Sequence, residues 1–120
     1  MNVEQTLAHF CKQVAVYWGN PVTGGSGGFT FDSPVEIKCR WEDRTDVVAA
    51  SNGKEYVSSA RVFLLQDVAE EGWLFLGELS DVDRDYLDNP KKVDRAYKII
   101  RFDKLPAIEP PTEYVRVAYL

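Results

Sequence analysis

Histidine is almost absent from this chain of 120 residues, which has His9 alone, and cysteine is scarce, with only Cys11 and Cys39. A zinc site draws on paired Cys and His ligands at short spacings, and no such pairing exists here, so neither a metal nor any other cofactor is implied. Long apolar runs are missing too: none approaches the ~20 residues that cross a bilayer as a helix, so no membrane partner is expected. Met1-Asn2-Val3-Glu4-Gln5 has neither the basic start nor the apolar stretch of a secretory signal, which predicts folding in a cytoplasm. In that reducing compartment Cys11 and Cys39 are expected as small, reduced, apolar side chains. Positive charge is in short supply as well, with 14 Lys and Arg against 19 Asp and Glu, a net charge of −5 and a pI near 4.8. Tight nucleic-acid binding needs Lys and Arg to displace counterions, so phosphate neutralisation is not the expected role.

What is present reads as strands. Val35, Ile37, Cys39 and Trp41 alternate with Glu36, Lys38, Arg40 and Glu42, the period of two that marks a half-buried antiparallel strand. Tyr114 to Leu120 is a second such run, and its end on Leu120 predicts a terminus held in a sheet. Between them, Thr45 to Ala50 keeps extended character, Asn52-Gly53 predicts a tight type I′ hairpin turn, and Tyr56 to Gln66 is its partner strand. The continuous run Val62-Phe63-Leu64-Leu65 predicts burial on both faces, in a closed small barrel or under a neighbouring subunit. Val14 to Trp18, Trp73 to Gly77 and Ala96 to Phe102 supply further strands, and Asp81 to Asp94 reads as a charged surface excursion with one short helical turn. Val3, Leu7 and Phe10 predict a short N-terminal helix that needs a surface to pack on. The expected fold is all-β: one domain over residues 1–120, a small antiparallel β-barrel, with a compact sandwich as the alternative. Its core is expected to hold Ile37, Cys39 and Trp41, with Val62 or Phe63 and Val115 or Val117.

Catalytic patterns are weak. His9 and Cys11 share a face only if that segment is extended, and no cysteine-hydrolase signature surrounds them. Ser58 and Ser59 lack a strand-to-helix elbow. Asp81, Asp83, Asp85 and Asp88 crowd together without the central glycine and closing Glu of a calcium loop. No enzyme is expected. Gly24, Gly25, Ser26, Gly27 and Gly28 lead into Phe29, and no Lys-Ser or Lys-Thr follows to complete a phosphate loop. This stretch is the candidate partner loop, expected to be flexible in the free protein and ordered by contacts. Tyr17, Trp18, Phe29, Phe31 and Trp41 suit core and protein contacts better than a nucleic-acid platform, because the arginines are dispersed among acids.

The strand at 35–42, the turn Asn52-Gly53 leading through Ser58, Ser59 and Ala60 into Val62 to Leu65, then Ala96 to Ile100, and finally Glu113 to Leu120 together resemble the head-closure proteins of long-tailed bacteriophages. The resemblance lies in strand layout and length and covers most of the chain. It implies a structural virion protein that forms a homo-oligomeric ring on the connector, between the portal or adaptor ring and the tail terminator. It further implies a loop that can project toward the channel and help retain packaged DNA, and the region Pro21 to Asp32, with Gly24 to Phe29 within it, is the candidate for that loop. The alternatives are a tail terminator or another neck component, a helical adaptor, and a small-barrel module that binds protein or nucleic acid.

Overall fold

The computed structural model describes residues 11–23, 29–50, 52–106 and 114–120. Among these residues are nine strands: β1 Gln13–Trp18, β2 Val22–Thr23, β3 Phe29–Thr30, β4 Val35–Ala49, β5 Glu55–Leu64, β6 Trp73–Leu76, β7 Ala96–Lys98, β8 Arg101–Pro106 and β9 Tyr114–Tyr119. Among the described residues no helix exceeds three residues. Seven strands form one antiparallel sheet in the order β7-β6-β1-β4-β5-β9-β8, and β2 and β3 form a separate two-stranded ribbon. The predicted N-terminal helix at Val3 to Phe10 lies outside the described residues.

The period-two pattern of β4 places Ile37 and Cys39 inside, 5% and 0% exposed, and on β5 Leu64, the partner of Cys39, and Val62, the partner of Trp41, face the same way. Ala15, Ala60, Val68, Leu74, Ile99, Ala118 and Leu120 complete this inner cluster, with Tyr17, Trp41 and Phe102 packed against it. Of the paired alternatives, Val62 is inside and Phe63 outside. Ala118 on β9 and Leu120 just beyond it belong to the inner cluster, and neither Val115 nor Val117 joins it. The continuous apolar run could not reveal this, because residues on both faces are apolar. Trp41 is only half-buried, its indole Nε1 donating to Asp43 Oδ1 at 3.3 Å.

The sheet has two ends in its hydrogen-bonded order, β7 and β8, so the ladder is open, and the closed barrel of the sequence expectation goes further than this. Those two ends are consecutive in the chain. Ile99 N donates to Gly72 O at 2.8 Å beside β6, while Ile100 N donates to Tyr119 O at 2.8 Å on β9. The expected single strand Ala96 to Phe102 is thus two short strands joined by a corner, and β8 runs on to Pro106. A curled sheet results, with its two edges linked through Ile99-Ile100.

A second apolar cluster lies on the outer face of β1, β6 and β7. Val16, Trp18 and Val82 form it, with Phe75, Leu79, Leu87 and Val93 packed around them. The charged stretch predicted as a surface excursion is therefore a lid of three 3-10 turns, Leu79–Asp81, Arg84–Tyr86 and Pro90–Lys92. Trp18 Nε1 donates to Leu87 O at 2.8 Å, and Leu79 N donates to Glu36 Oε2 at 3.0 Å, fixing the lid to the sheet. β1 is consequently buried on both faces.

The β4–β5 turn also differs from expectation. Ala50 N donates to Lys54 O and Gly53 N to Ala50 O, which leaves three residues in the loop. Gly53 takes φ 83° and Asn52 does not adopt positive φ, so the left-handed position needs glycine alone, as in a type I turn closed by a bulge. Asn52 Oδ1 instead accepts from Lys54 N at 2.9 Å.

Candidate functional site

β2 and β3 flank the glycine-rich stretch in sequence and pair antiparallel as a ribbon separate from the main sheet, Val22 with Thr30 and Thr23 with Phe29. Gly24, Gly25, Ser26, Gly27 and Gly28 themselves lie outside the described residues, and Phe29 is the first residue of β3. The ribbon is fastened at its root: Asp32 N donates to Gly19 O at 2.9 Å, and Asn20 Nδ2 donates to Asp32 Oδ2 at 2.5 Å. Asn20 holds φ 48°, a left-handed conformation that Asn tolerates better than most side chains, and this turns the chain out of β1 into the ribbon.

Beside the root a groove of about 680 Å³ runs between Phe31 to Pro34 and the lid residues Leu79, Val82 and Leu87. Its floor is apolar, and Asp32, Ser33, Ser80, Arg84 and Asp88 are at its rim. The ribbon and the groove thus share one end of the molecule, since Phe31 and Asp32 belong to both.

The other residues singled out by their chemistry have structural roles. Ser58 is fully buried, with Oγ 2.9 Å from Ala60 O and 3.0 Å from Leu120 O, and Ser59 N donates to Leu120 O at 2.6 Å. The two serines hold β9 rather than activate a nucleophile. Burial pushes the Cys39 thiol up to about 12, with the neighbouring Cys11 adding to the rise, and burial raises Cys11 as well, against an opposing pull from Arg40. Both thiols are protonated near neutrality and therefore weakly nucleophilic. Both cysteines are free, and His9 lies outside the described residues.

In the acidic turn Asp83 Oδ1 accepts from Asp85 N at 3.0 Å and Asp81 Oδ2 accepts from Glu78 N at 2.9 Å. These carboxylates cap short turns. Among the described residues, no group of three or more His, Cys, Asp or Glu is placed to hold a metal ion.

Five arginines are paired with carboxylates on the surface. Arg40 and Arg61 reach Glu42, Arg44 reaches Asp46, Arg101 reaches Asp103 and Arg116 reaches Asp67, all within 3.2 Å. The hydrogen bond from Arg61, followed by that from Arg40, holds the Glu42 carboxyl below its ordinary range. Guanidinium groups committed to carboxylates in this way do not line a groove for a phosphate backbone. No helix among the described residues is long and apolar enough to cross a membrane.

The ribbon that flanks the glycine-rich stretch was not legible in the sequence. Strands of two residues, Val22–Thr23 and Phe29–Thr30, are too short to show a period. Compared with known proteins, the chain matches no protein-family model, no curated protein and no solved structure.

Proposed function

We propose that this protein is a head-closure component of a long-tailed bacteriophage, a structural virion protein that joins the DNA-filled head to the tail and helps retain the packaged DNA. The observation that carries the reading is the ribbon of β2 and β3, which is separate from the main sheet and whose strands flank residues 24–28 in sequence. A glycine stretch on such a support can extend toward a channel or a neighbouring protein while the sheet stays rigid. In this reading the portal or adaptor ring and the tail terminator are its partners, and copies of the chain form a ring in the virion. The groove beside the ribbon root offers an apolar floor for one of those contacts, and the negative balance of the chain keeps nearby DNA from sticking.

The finer fold belongs to the same proposal: a small barrel closed through the Ile99-Ile100 corner rather than through a continuous ladder. Hydrogen bonds from these two adjacent residues to opposite ends of the strand order support it. A mainly helical adaptor does not fit a chain whose described residues hold only three-residue turns. A small-barrel module that binds a protein segment is the second reading, favoured by the groove alone.

Deletion of the gene from the phage that carries it tests the proposal. Electron micrographs are expected to show filled or leaking heads beside separate tails, and normal infectious particles would refute it.

A further inference from the structure

We propose that copies of this chain bind one another head to tail, the hairpin end of β4 and β5 in one copy seating in the groove between the ribbon root and the lid of the next. Among the described residues, 43–49 of β4 and 55–58 of β5 have no ladder partner but each other: the ladder with β1 ends at Cys39 and the ladder with β9 at Arg61. They form a two-stranded arm, steadied near its end where Arg101 Nη1 donates to Ala49 O at 3.2 Å. A hairpin with no third strand is marginal in water, so such an arm gains from a covering surface.

Both faces of the arm carry apolar residues. Val47 lies opposite Val57, each 68% exposed, on the face turned away from the buried Ser58. Val48 lies opposite Tyr56 on the other face, and Tyr56 is 41% exposed. Single exposed valines are ordinary, but an exposed cross-strand pair with an exposed tyrosine behind it makes a contiguous apolar tip.

The groove complements this tip in shape and in charge. Its volume of about 680 Å³, floored by Phe31, Leu79, Val82 and Leu87, is of the size that encloses a drug-sized group. Lys54 and Glu55 are adjacent at the end of the arm, and Arg84 and Asp88 stand at the groove rim. None of these four takes part in an ion pair among the described residues, unlike the arginines bound to Glu42, Asp46, Asp67 and Asp103. Seating the arm brings Lys54 toward Asp88 and Glu55 toward Arg84.

The arm does not serve its own groove. Pro34 immediately precedes β4 and Ala49 ends it, so groove and arm lie at opposite ends of a 15-residue strand. That strand is about 50 Å long. The occupant is therefore a second copy. Because arm and groove are different surfaces, the contact is heterologous, and successive copies close into a ring or run on as a filament. The contact would serve the ring of the proposed function, but the features that argue for it belong to the chain alone and do not depend on that reading.

Cross-linking between two variants of the full chain tests the contact. Ala49→Cys protein is mixed with Ser80→Cys protein and treated with a short bismaleimide, and linked peptides are quantified by mass spectrometry. Cys11 and Cys39 are 2% and 0% exposed, so the introduced thiols are the ones that react. A mixture of Ala49→Cys with Lys38→Cys, an exposed position midway along β4, is the control. The expected yield of 49–80 product is about ten times that of 49–38 product, because a specific contact raises the effective concentration of one pair of positions. Equal yields overturn the proposal, and so does a predominance of 49–49 product, which would assign the arm to a symmetric contact with another arm.

Charge reversal supplies the second measurement. Glu55→Lys on the arm-bearing chain, or Arg84→Glu on the groove-bearing chain, is expected to lower the 49–80 yield about threefold, and the two together to restore it. A loss that the double reversal does not restore overturns the assigned seating. Deleting the gene from a phage tests the virion role separately: normal particles would leave this contact standing, and failed cross-linking would leave the virion role standing.

Discussion

Trp18 and Leu87 are joined by an indole N–H donating to a main-chain carbonyl at 2.8 Å, across 69 positions of sequence. The bond ties the outer face of the most deeply buried strand to the middle of the lid. Trp18→Phe keeps most of the apolar volume and leaves the Leu87 carbonyl without this donor. The expected cost is about 0.5–1.5 kcal/mol, with faster amide exchange at 86–93 than in β4 and β5. Trp18→Ala adds a cavity and should cost about 3–5 kcal/mol. Unchanged exchange in the Phe variant would show that the lid is held by apolar contact alone.

Trp41 and Leu64 separate partial from complete burial on neighbouring inward positions. Leu64 is 0% exposed, and Leu64→Ala should destabilise by about 2–5 kcal/mol. Trp41 is half-buried, with Tyr97 6.2 Å away between ring centroids, so Trp41→Ala should fall below the ~3–5 kcal/mol of a fully enclosed tryptophan. Urea denaturation of the two variants gives the comparison, and a larger loss at Trp41 would contradict the assigned burial.

These two residues also show how far the pattern of residues could lead. Ile37 and Cys39 were legible because charged neighbours alternate with them. Phe63 and Val62 were not, since Phe63 and Leu65 on one face are as apolar as Val62 and Leu64 on the other. The lid escaped because 3-10 turns of three residues impose no lasting period, so Val82, Leu87 and Val93 look scattered among acids. The corner at Ile99-Ile100 escaped because two β-branched apolar residues continue the strand pattern while their hydrogen-bond partners change sides. For the candidate site, glycine content marked the loop, whereas the ribbon root depends on Asn20 and Asp32 meeting across twelve positions.

Asp67 should make stability pH-dependent in a defined direction. Hydrogen bonds from Arg116 and then Lys104 hold its carboxyl below the ordinary range. A depressed folded-state pKa means that the stabilisation is complete above the unfolded value, ~3.9, and fades as pH falls through the lower folded value. The side chain is 57% exposed, so solvent screening limits the contribution to under about 1 kcal/mol. Asp67→Asn should lower the urea midpoint at pH 7, and the gap from wild type should close as pH falls below the carboxylate range. A gap of constant size across that range would assign the effect to something other than charge.

Asp32→Ala removes the carboxylate that accepts from Asn20 at the ribbon root. Because the ribbon lies outside the seven-stranded sheet, the expected change is local: faster exchange at the amides of Val22 and Thr30 with little shift in the melting temperature. A large fall in melting temperature would mean that the ribbon supports the main fold.

In vitro complementation tests the central claim most directly. Heads and tails from a phage lacking this gene are mixed with the purified protein, and infectious particles are counted with and without it. The proposed role predicts that wild-type protein restores joined, infectious particles and that a chain with residues 24–28 shortened restores fewer DNA-retaining ones. Failure of the folded wild-type protein to restore any would contradict the head-closure account.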